Sequence, residues 1–307
     1  MNRRTALGLL GATTVTAALP ARAAGPVRMA APALDNTALM LYANEMGFFK
    51  AAGIDAQVQA MPNGEAVTVA VTGNAIDIGC SEVVSLILAR RRGIPLTLIA
   101  PSGVQTPTSP VGLFFVRKDL TATTGRDLRG KTIAVVGLNG FAQYGTQAWI
   151  DKTGGDSSSV KFVQFSGAQI AVALQDGRVD GAFVPEPFVS LVKKVARPVT
   201  NPMASIAPTL FSSAHFTTTA YVDANGATVR RIQSVLHQTA DWANRNHDAT
   251  AAILEKVARV SPEVIAAATR AYYGSSMDPA LLQPLIDVAA RYGGFPSFSA
   301  AEMISRA

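Results

Sequence analysis

Short apolar segments alternate with helical patterns along most of the chain, and this alternation limits the possible folds more than any other feature. In the first part of the chain, the segments of strand type are 27–31, 54–60, 76–80 and 95–100, and helical patterns lie between them. Strands that alternate with helices favour a mainly parallel sheet with helices on both faces. The sequence therefore predicts an α/β fold.

The same alternation then starts a second time. Further strand-type segments are 112–116, 132–136, 161–165 and 179–184, with helical patterns over 141–152 and 168–175. From residue 225 onward the pattern is almost entirely helical, and Ser261-Pro262 and Asp278-Pro279 are typical helix starts. Two α/β units in series predict two lobes, and we expect the C-terminal helices to support these lobes rather than form a separate domain.

A weak internal repeat also favours two related units. Residues 70–77 align with residues 173–180, and Asn74 and Gly177 fall at the same position. Both residue types tolerate the left-handed conformation that ends a helix. Each copy therefore predicts a helix, a cap and a buried strand.

The N-terminus has the pattern of a cleaved export signal. Arg3-Arg4 precede an apolar run over 6–18, and Ala21-Arg22-Ala23 follows. The run is too short to span a bilayer. The paired arginines are typical of the twin-arginine route, but Ala6 stands where that route usually has a bulky apolar residue, so both export routes remain open. We expect residues 1–23 to be removed and the mature protein to be periplasmic.

Composition excludes several classes of function. Loss of residues 1–23 removes three arginines and no acid, which leaves 24 basic and 21 acidic residues. Since no run of Lys or Arg remains, we expect no nucleic-acid partner. Cys80 is the only cysteine and the three histidines are scattered, so neither a disulfide within the chain nor metal-ligand spacing is present. We predict no cofactor and no metal site.

One nucleotide-binding motif occurs in the wrong context. Residues 125–132 satisfy the pattern G-x-x-x-x-G-K-T. A phosphate-binding loop follows a strand and opens a helix, whereas here the strand-type segment 132–136 comes after the motif. The sequence therefore predicts no nucleotide site at this position.

Four segments, in the order 41–54, 73–79, 127–135 and 177–187, resemble the nitrate, sulfonate, taurine and thiamine-precursor binding proteins of ATP-binding-cassette (ABC) importers. The resemblance implies a type II periplasmic binding fold, in which crossing strands join two lobes. Lobe I would comprise 25–110 with C-terminal helices over 216–307, and lobe II would comprise 111–215. The crossings would fall near 109–116 and 211–221.

The resemblance also implies a function. Such a protein captures a small molecule between its lobes and passes it to permease and ATPase subunits at the inner membrane, where ATP is hydrolysed. We expect a monomer that makes and breaks no bond, so no catalytic residue is predicted. Binding would shift the equilibrium toward a closed form.

Ligands of open α/β sheets lie beyond the carboxyl ends of the strands, where helix N-termini offer free amides. The turn 137–141 is the most informative of these loops, because its glycines let amides approach a ligand and Phe141 can stack on it. Glu186 either braces the cleft or contacts the ligand, and we expect Glu82 to complement the dipole of its own helix. The candidate ligand-binding residues are Asn36, Thr37, Asn63, Ser81, Ser109, Leu138, Asn139, Gly140, Phe141, Glu186 and His215.

Three alternatives to this interpretation remain open. No arginine is placed in the cleft by the sequence, so an organic sulfonate or carboxylate is expected rather than a dianion, with a pyrimidine-like heterocycle as the second choice. An enzyme on the same fold, a desulfinase or a lyase, would need a paired nucleophile and base, which the sequence does not show. An accessory protein of a two-component sensor would bind the same ligands without delivering them.

Overall fold

The computed structural model describes residues 25–305, so the expected export signal at 1–23 lies outside the described residues. The described strands, in chain order, are β1 (Val27–Pro32), β2 (Ala56–Met61), β3 (Ile78–Glu82), β4 (Leu96–Pro101), β5 (Gly103–Gln105), β6 (Gly112–Arg117), β7 (Thr132–Val135), β8 (Lys161–Gln164), β9 (Gly181–Pro185), β10 (Ala196–Thr200), β11 (Leu210–Phe211), β12 (Ser213–Thr218) and β13 (Tyr272–Tyr273). The described helices are α1 (Leu39–Glu45), α2 (Phe48–Ala51), α3 (Gly64–Thr72), α4 (Val83–Arg91), α5 (Phe141–Lys152), α6 (Gly167–Gln175), α7 (Val189–Val195), α8 (Thr219–Ala243), α9 (His247–Ala258), α10 (Pro262–Ala266) and α11 (Pro279–Gly293).

The strands form two large sheets and one small sheet. The first sheet has the order β2-β1-β3-β12-β4, and the second has the order β10-β6-β9-β7-β8. In the small sheet, β11-β5-β13, strands β5 and β11 lie next to the points where the chain passes from one large sheet to the other, and β13 comes from the C-terminal part of the chain. Helices α1 and α8 cover one face of the first sheet, while α3, α4 and α11 cover the other. The prediction of an α/β fold with two units is confirmed.

The expectation of mainly parallel sheets was wrong. In the first sheet β1 runs parallel to β2 and β3, but β12 runs antiparallel to β3 and β4. In the second sheet β7 runs parallel to β8 and β9, but β6 runs antiparallel to β9 and β10. The reason is that β6 and β12 each enter their sheet directly from the other unit, without the crossover helix that makes neighbouring strands parallel. The exact boundaries of the two lobes stay a prediction.

The internal repeat predicted from the sequence is confirmed as a repeated local structure. Helix α3 ends before Asn74, which has a φ angle of 57°, and α6 ends before Gly177, which has a φ angle of 69°. These left-handed residues end the two helices in the same way, since an amide beyond each cap returns to the last turn: Ala75 donates to the Ala70 carbonyl, and Arg178 to the Ala173 carbonyl.

An aspartate repeats the same role after each of these caps. Asp77 Oδ2 accepts the backbone N–H of Arg28 at 2.8 Å, at the start of β1. Asp180 Oδ2 accepts the backbone N–H of Thr132 at 2.9 Å, at the start of β7. Each aspartate therefore joins the strand it precedes to the first parallel strand of its own unit.

The C-terminal helix α11 packs against both units. Asp278 caps α11 by accepting the amide of Ala280 at 2.9 Å, and α11 packs against α4 and α5. Helix α8 begins before residue 225, where the helical pattern was expected to begin to dominate, because the side chain of Thr218 caps it by accepting the amide of Tyr221. Asn225 interrupts α8 with a non-helical φ of −130°. Asn225 therefore marks a kink within α8.

The strand predicted after the G-x-x-x-x-G-K-T motif is present. Residues 125–128 form a single 3-10 turn, and Thr132, at the end of the motif, opens β7. None of the helices within residues 25–305 is long and apolar enough to cross a membrane.

Candidate functional site

The two units contact each other at the carboxyl ends of their parallel strands, where sequence reasoning placed the ligand. Two regions of contact can be distinguished. A hinge region contains the loop after β1, the residues between β5 and β6, and the loop after β9. A second region joins the end of β3 to the start of α5.

The hinge region encloses a small cavity. Its volume, taken as the space open to the centre of a water molecule, is about 10 Å³, which is room for about one water. Three predicted residues meet here, namely Asn36, Ser109 and Glu186. The complete lining is Asp35, Asn36, Val104, Ser109, Pro110, Val111, Glu186, Thr269 and Ala271. Sequence reasoning missed the contribution of 269–271, because these residues come from the C-terminal part of the chain.

Glu186 has one free carboxyl oxygen in this region. Its Oε1 atom accepts the backbone N–H of Thr269 at 3.0 Å, whereas its Oε2 atom is buried with no hydrogen-bond partner among the described residues. The residue is only 9% exposed. Burial raises the pKa of Glu186, and the hydrogen bonds from Thr269 offset part of that rise. Glu186 therefore holds the C-terminal segment through its Oε1 atom, while its Oε2 atom can accept a further hydrogen bond.

Asp35, in the wall of the cavity, forms a buried ion pair with Arg270. Arg270 donates to both of its carboxyl oxygens, at 2.8 and 2.9 Å. Tyr42 and the backbone N–H of Ala271 also donate to this carboxyl, at 2.8 and 2.9 Å. The Tyr273 hydroxyl donates to the backbone carbonyl of Asp35 and lies 3.2 Å from its Oδ1 atom. Burial alone would raise the pKa of Asp35, but the contacts with Arg270 and its other donors bring it below its ordinary value. The Asp35 carboxylate and the Arg270 guanidinium therefore already have their hydrogen-bond partners within the protein.

The other predicted residues near the hinge have partners within the protein. The hydroxyl of Ser109 donates to the carbonyl of Arg270 at 2.6 Å. The carbonyl of Asn36 accepts from Ser102 and Ser213. Thr37 donates to the Pro32 carbonyl at 2.8 Å, so its hydroxyl stabilises the turn after β1. For all three predicted residues, a ligand contact stays a prediction.

The second region has an unsatisfied hydroxyl at the start of α3. Asn63 caps this helix, and its Oδ1 atom accepts the amide of Ala66 at 2.8 Å. Ser81, at the end of β3, is completely buried, and its Oγ atom has no partner among the described residues. Gly64 packs so closely on this hydroxyl that a Cβ atom at Gly64 would overlap it. The first turn of α3 and Ser81 Oγ therefore offer hydrogen-bond donors at one place.

The turn before α5 forms the side of this region that belongs to the second unit. Leu138 is 47% exposed, and Asn139 has a left-handed φ of 54° and donates its backbone N–H to Gln143 Oε1. Gly140 precedes α5 without a side-chain cap. Phe141 is buried and packs in a cluster with residues of α3 and α4, so its ring already fills part of the space between the units.

Glu82 lies between the two units in this region, which sequence reasoning did not predict. It precedes α4 but makes no side-chain cap there. Its carboxyl instead faces the start of α5, where a Cβ atom at Gly140 would lie 3.4 Å from its Oε2 atom. Burial raises the pKa of Glu82, and the amide of Phe141 offsets part of that rise. The only sequence signal was an acid at the carboxyl end of a buried strand.

His215 lies within the first sheet. It is completely buried on β12, with Nδ1 3.1 Å from the carbonyl oxygen of Pro101, and its Nε2 atom has no partner among the described residues. Burial lowers its pKa to about 4. Cys80 pairs with it in register across the sheet, and burial raises the pKa of the Cys80 thiol to about 12. A ligand contact for His215 stays a prediction.

A larger groove lies elsewhere, between α5 and α11. Its volume is about 430 Å³, and it contains none of the predicted residues. Its lining is Ala148, Asp151, Lys152, Ser205, Ile206, Pro284, Asp287, Val288 and Arg291. Among residues 25–305, no group of three or more His, Cys, Asp or Glu side chains could hold a metal ion.

Comparisons with known proteins agree with this architecture. A family model described as NMT1/THI5 like matches residues 35–250. The alkanesulfonate-binding protein SsuA from Xanthomonas axonopodis pv. citri, solved with bound MOPS, superposes with a TM-score of 0.74 at 18% identity, covering 92% of this chain and 98% of that one. The periplasmic nitrate-binding protein NrtA from Synechocystis PCC 6803 gives 0.72 at 13% identity, covering 90% and 84%.

A further similar structure is DszB in complex with biphenyl-2-sulfinic acid, with a TM-score of 0.66 at 18% identity, covering 91% of this chain and 96% of that one. A sequence comparison with curated proteins finds no match. Two α/β units, crossing strands and a cleft at the strand ends define a two-lobed protein with the type II periplasmic binding fold. The chain belongs to the NMT1/THI5-like family.

Proposed function

We propose that this protein is the solute-binding component of an ABC importer and captures a small organic anion, of the sulfonate or carboxylate class, between its two lobes. The observation that carries the proposal is that each unit has a buried polar atom without a partner beside the contact between the units. Ser81 Oγ belongs to the first unit and Glu186 Oε2 to the second. Buried polar atoms normally have partners, so a ligand is the simplest source of the missing ones.

The helix N-termini give the cleft its affinity for anions. The starts of α3 and α5 carry free amides and the positive end of the helix dipole, and Ser81 adds a hydroxyl donor beside α3. An anion held between these helices would contact both lobes at once. Such a ligand stabilises the closed form over the open form and so shifts the equilibrium between them.

Delivery to a membrane partner completes the proposal. Proteins with similar structures include an alkanesulfonate-binding protein and a nitrate-binding protein, which supports a role in solute binding. The export pattern at 1–23 supports action in the periplasm, as a monomer that docks on permease and ATPase subunits. The ligand-contacting residues proposed are those that face the two regions of contact: Asn36, Asn63, Ser81, Ser109, Leu138, Asn139, Gly140, Phe141 and Glu186.

The alternative is an enzyme on the same fold, and the structural similarity to DszB is the reason to consider it. Its nucleophile would have to be Cys80, the only cysteine. Reactive cysteines are partly exposed thiolates with a lowered pKa, whereas Cys80 is completely buried and its pKa is raised to about 12. We therefore propose that the protein binds its ligand without changing it.

The experiment is a thermal-unfolding screen of the mature chain, from Ala24 onward, followed by recovery of the ligand. The panel contains sulfonates, carboxylates, nitrate, pyrimidines and vitamins. A ligand at about a hundred times its dissociation constant stabilises the folded state by about 2.7 kcal/mol. A ligand recovered chemically unchanged supports solute binding. Release of sulfite or another product would show an enzyme instead.

A further inference from the structure

Helix α5 of the second unit lies against the first unit at both of its ends. Near its start, a Cβ atom at Gly140 would lie 3.4 Å from Glu82 Oε2. Near its end, Asp151 bonds to two residues of α11, the helix that covers one face of the first sheet. An α-helix rises 1.5 Å per residue, so the two ends of α5 are about 15 Å apart. The second unit therefore has two separate attachments to the first unit along one helix.

The attachment at the end of α5 combines hydrogen bonds with a contact between rings. The Tyr292 hydroxyl donates to Asp151 Oδ2 at 2.8 Å, and Arg291 Nη2 donates to the same atom at 3.2 Å. The ring centroids of Tyr144 and Tyr292 lie 5.9 Å apart. Burial and the bond to Asp151 raise the pKa of Tyr292, so its hydroxyl keeps its proton and acts as the donor. We call these four residues the α5–α11 contact.

Helix α11 is fixed to the first unit. It packs against α4 and against the turn Ala300–Glu302 that follows it. Beyond that turn, the carbonyl of Met303 accepts the amide of Leu98 on β4 at 2.7 Å, and the amide of Ser305 donates to the Leu98 carbonyl at 2.8 Å. The chain after α11 is thus paired with β4, the edge strand of the first sheet. Any rotation of the units should therefore move α5 relative to α11.

Rotation about the hinge region would break the α5–α11 contact. The cavity at the hinge is lined by residues that lie outside both α5 and α11. A rigid rotation leaves in place only those points that lie on its axis, and packed interfaces change between discrete arrangements rather than deform continuously. An axis through the hinge region therefore carries Asp151 away from Tyr292 unless it also passes through this contact. The contact belongs to the arrangement in which Glu82 lies next to Gly140.

We propose that the α5–α11 contact is a latch that stabilises this arrangement of the units, and that ligand affinity depends on the latch although it lies outside the cleft. Asp151 and Tyr292 are then positioning residues, which act on the ligand only through the closure of the units. This inference rests on the proposed capture of a ligand by closure. It adds a control of closure that does not involve the residues proposed to contact the ligand.

The first test measures the separation of the units without any ligand. Val69 on α3 and Val172 on α6 are 66% and 49% exposed and belong to different units. Val69→Cys and Val172→Cys together provide two sites for spin labels. Cys80, the only cysteine of the chain, is completely buried and should not react with the label. Electron–electron double resonance on the doubly labelled mature chain then gives the distribution of distances between the units.

Two variants weaken the latch in different ways. Tyr292→Phe removes the hydroxyl and keeps the ring, and Asp151→Asn removes the charge. Loss of a hydrogen bond to a charged group should move the equilibrium toward separated units by about tenfold, so each variant should add a population at longer distances. Asp119→Asn removes the same charge from an exposed pair with Arg117 inside the second unit, and it should leave the distances unchanged. Melting curves show that the variants compared are folded.

The second test uses a ligand identified by the thermal screen. Its affinity for Tyr292→Phe, measured by titration calorimetry, should be about tenfold lower than for the unaltered protein, because the form that holds the ligand is less populated. Affinity for Asp119→Asn should be unchanged. An affinity that stays the same while the distances lengthen would show that the latch does not control binding, and this part of the inference would be wrong.

The distance measurement alone decides whether the latch exists. The same distribution in both latch variants and in the unaltered protein would overturn it, because the contact would then lie on the axis of rotation. An equal change in Asp119→Asn would also overturn it, since loss of charge rather than loss of the contact would be the cause. If the distances lengthen as expected but no small molecule binds, the latch remains and the proposed solute binding fails.

Discussion

The carboxyl of Glu82 faces Gly140, since a Cβ atom at Gly140 would lie 3.4 Å from Glu82 Oε2, and this approach brings the end of β3 in one unit next to the start of α5 in the other. The same carboxyl leaves the start of its own helix, α4, without a side-chain cap. Helix N-termini favour negative groups, so the start of α5 offsets part of the cost of burying the Glu82 carboxylate. The protein thus holds an acid of its own at the place where we propose that the ligand's acid binds.

The first prediction concerns the pH dependence of this contact. Burial raises the pKa of Glu82 above its ordinary 4.5. A raised carboxyl pKa means that stability is fully present below pH 4.5 and is lost as the pH rises through the folded-state pKa. Glu82→Gln should therefore raise the free energy of unfolding at pH 7 relative to the unaltered protein, and the gain should shrink toward pH 4.

Urea unfolding at a series of pH values measures this difference. Glu255→Gln, on the exposed face of α9, provides the control with the same change of charge. A Glu82→Gln variant that is less stable than the unaltered protein at pH 7 would mean that the charged carboxylate is favourable, which contradicts a pKa raised by burial.

The second prediction concerns the buried pair of Asp35 and Arg270. Their side chains are 4% and 13% exposed, and Arg270 bonds to both carboxyl oxygens. Arg270→Met leaves a buried carboxylate without its cation, so the free energy of unfolding should fall by about 3–5 kcal/mol.

Lys256→Met is the matched control for that substitution. It breaks the pair with Glu45, in which the lysine side chain is 68% exposed, and should cost less than about 1 kcal/mol. If chemical unfolding gave similar losses of free energy for the two variants, burial would not be the reason why the Asp35–Arg270 pair stabilises the protein.

Most of the fold could be predicted from local patterns. Asp278-Pro279 marked a helix start correctly, because a cap and its helix are neighbours in sequence. The insertion of β12 between β3 and β4 could not be predicted in the same way, since strand pairing depends on residues far apart in the chain. The antiparallel strands were missed for this reason.

In the candidate site, too, features that depend on neighbouring residues were predicted and those that depend on distant residues were not. Ser81 and Glu186 were predicted because they follow buried strands, and both have a buried atom without a partner. The bonds from 269–271 to Asp35 and Glu186 were missed, since they join positions more than 80 residues apart. The direction of the Glu82 side chain was also missed, because two helix starts compete for one carboxyl and only the tertiary structure decides between them.

The third prediction concerns acid stability and His215. Burial lowers its pKa from 6.5 to about 4, so the unfolded chain gains a proton at a pH where the folded protein does not. The stability that His215 contributes is therefore present above pH 6.5 and lost as the pH falls toward 4. A shift of this size corresponds to about 3 kcal/mol.

Between pH 6.5 and 4, the free energy of unfolding of His215→Gln should therefore fall by about 3 kcal/mol less than that of the unaltered protein, as measured by urea unfolding. His247→Gln, at an exposed position, should leave the fall unchanged. An equally steep fall in the His215 variant would assign acid sensitivity to other groups.

The fourth prediction separates stability from binding at Ser81. Its buried hydroxyl has no partner among the described residues, so Ser81→Ala should leave the protein without added ligand as stable as before, or more stable by about 1 kcal/mol. Ser213→Ala is the contrasting variant, because this hydroxyl donates to the carbonyl of Asn36 and accepts the amide of Gly103. It should cost about 1–2 kcal/mol in chemical unfolding. A clear loss of stability in Ser81→Ala would show that the hydroxyl already has a partner within the protein.

The most direct test of ligand capture between two lobes is to titrate one ligand, identified by the thermal screen, into three variants. Ser81→Ala alters the first unit, Glu186→Gln alters the second, and Glu255→Gln alters neither side of the cleft. If both lobes hold the ligand, the first two should each weaken binding by about tenfold and the third should have no effect. Unchanged affinity in either of the two cleft variants would contradict a ligand held by both lobes at these side chains.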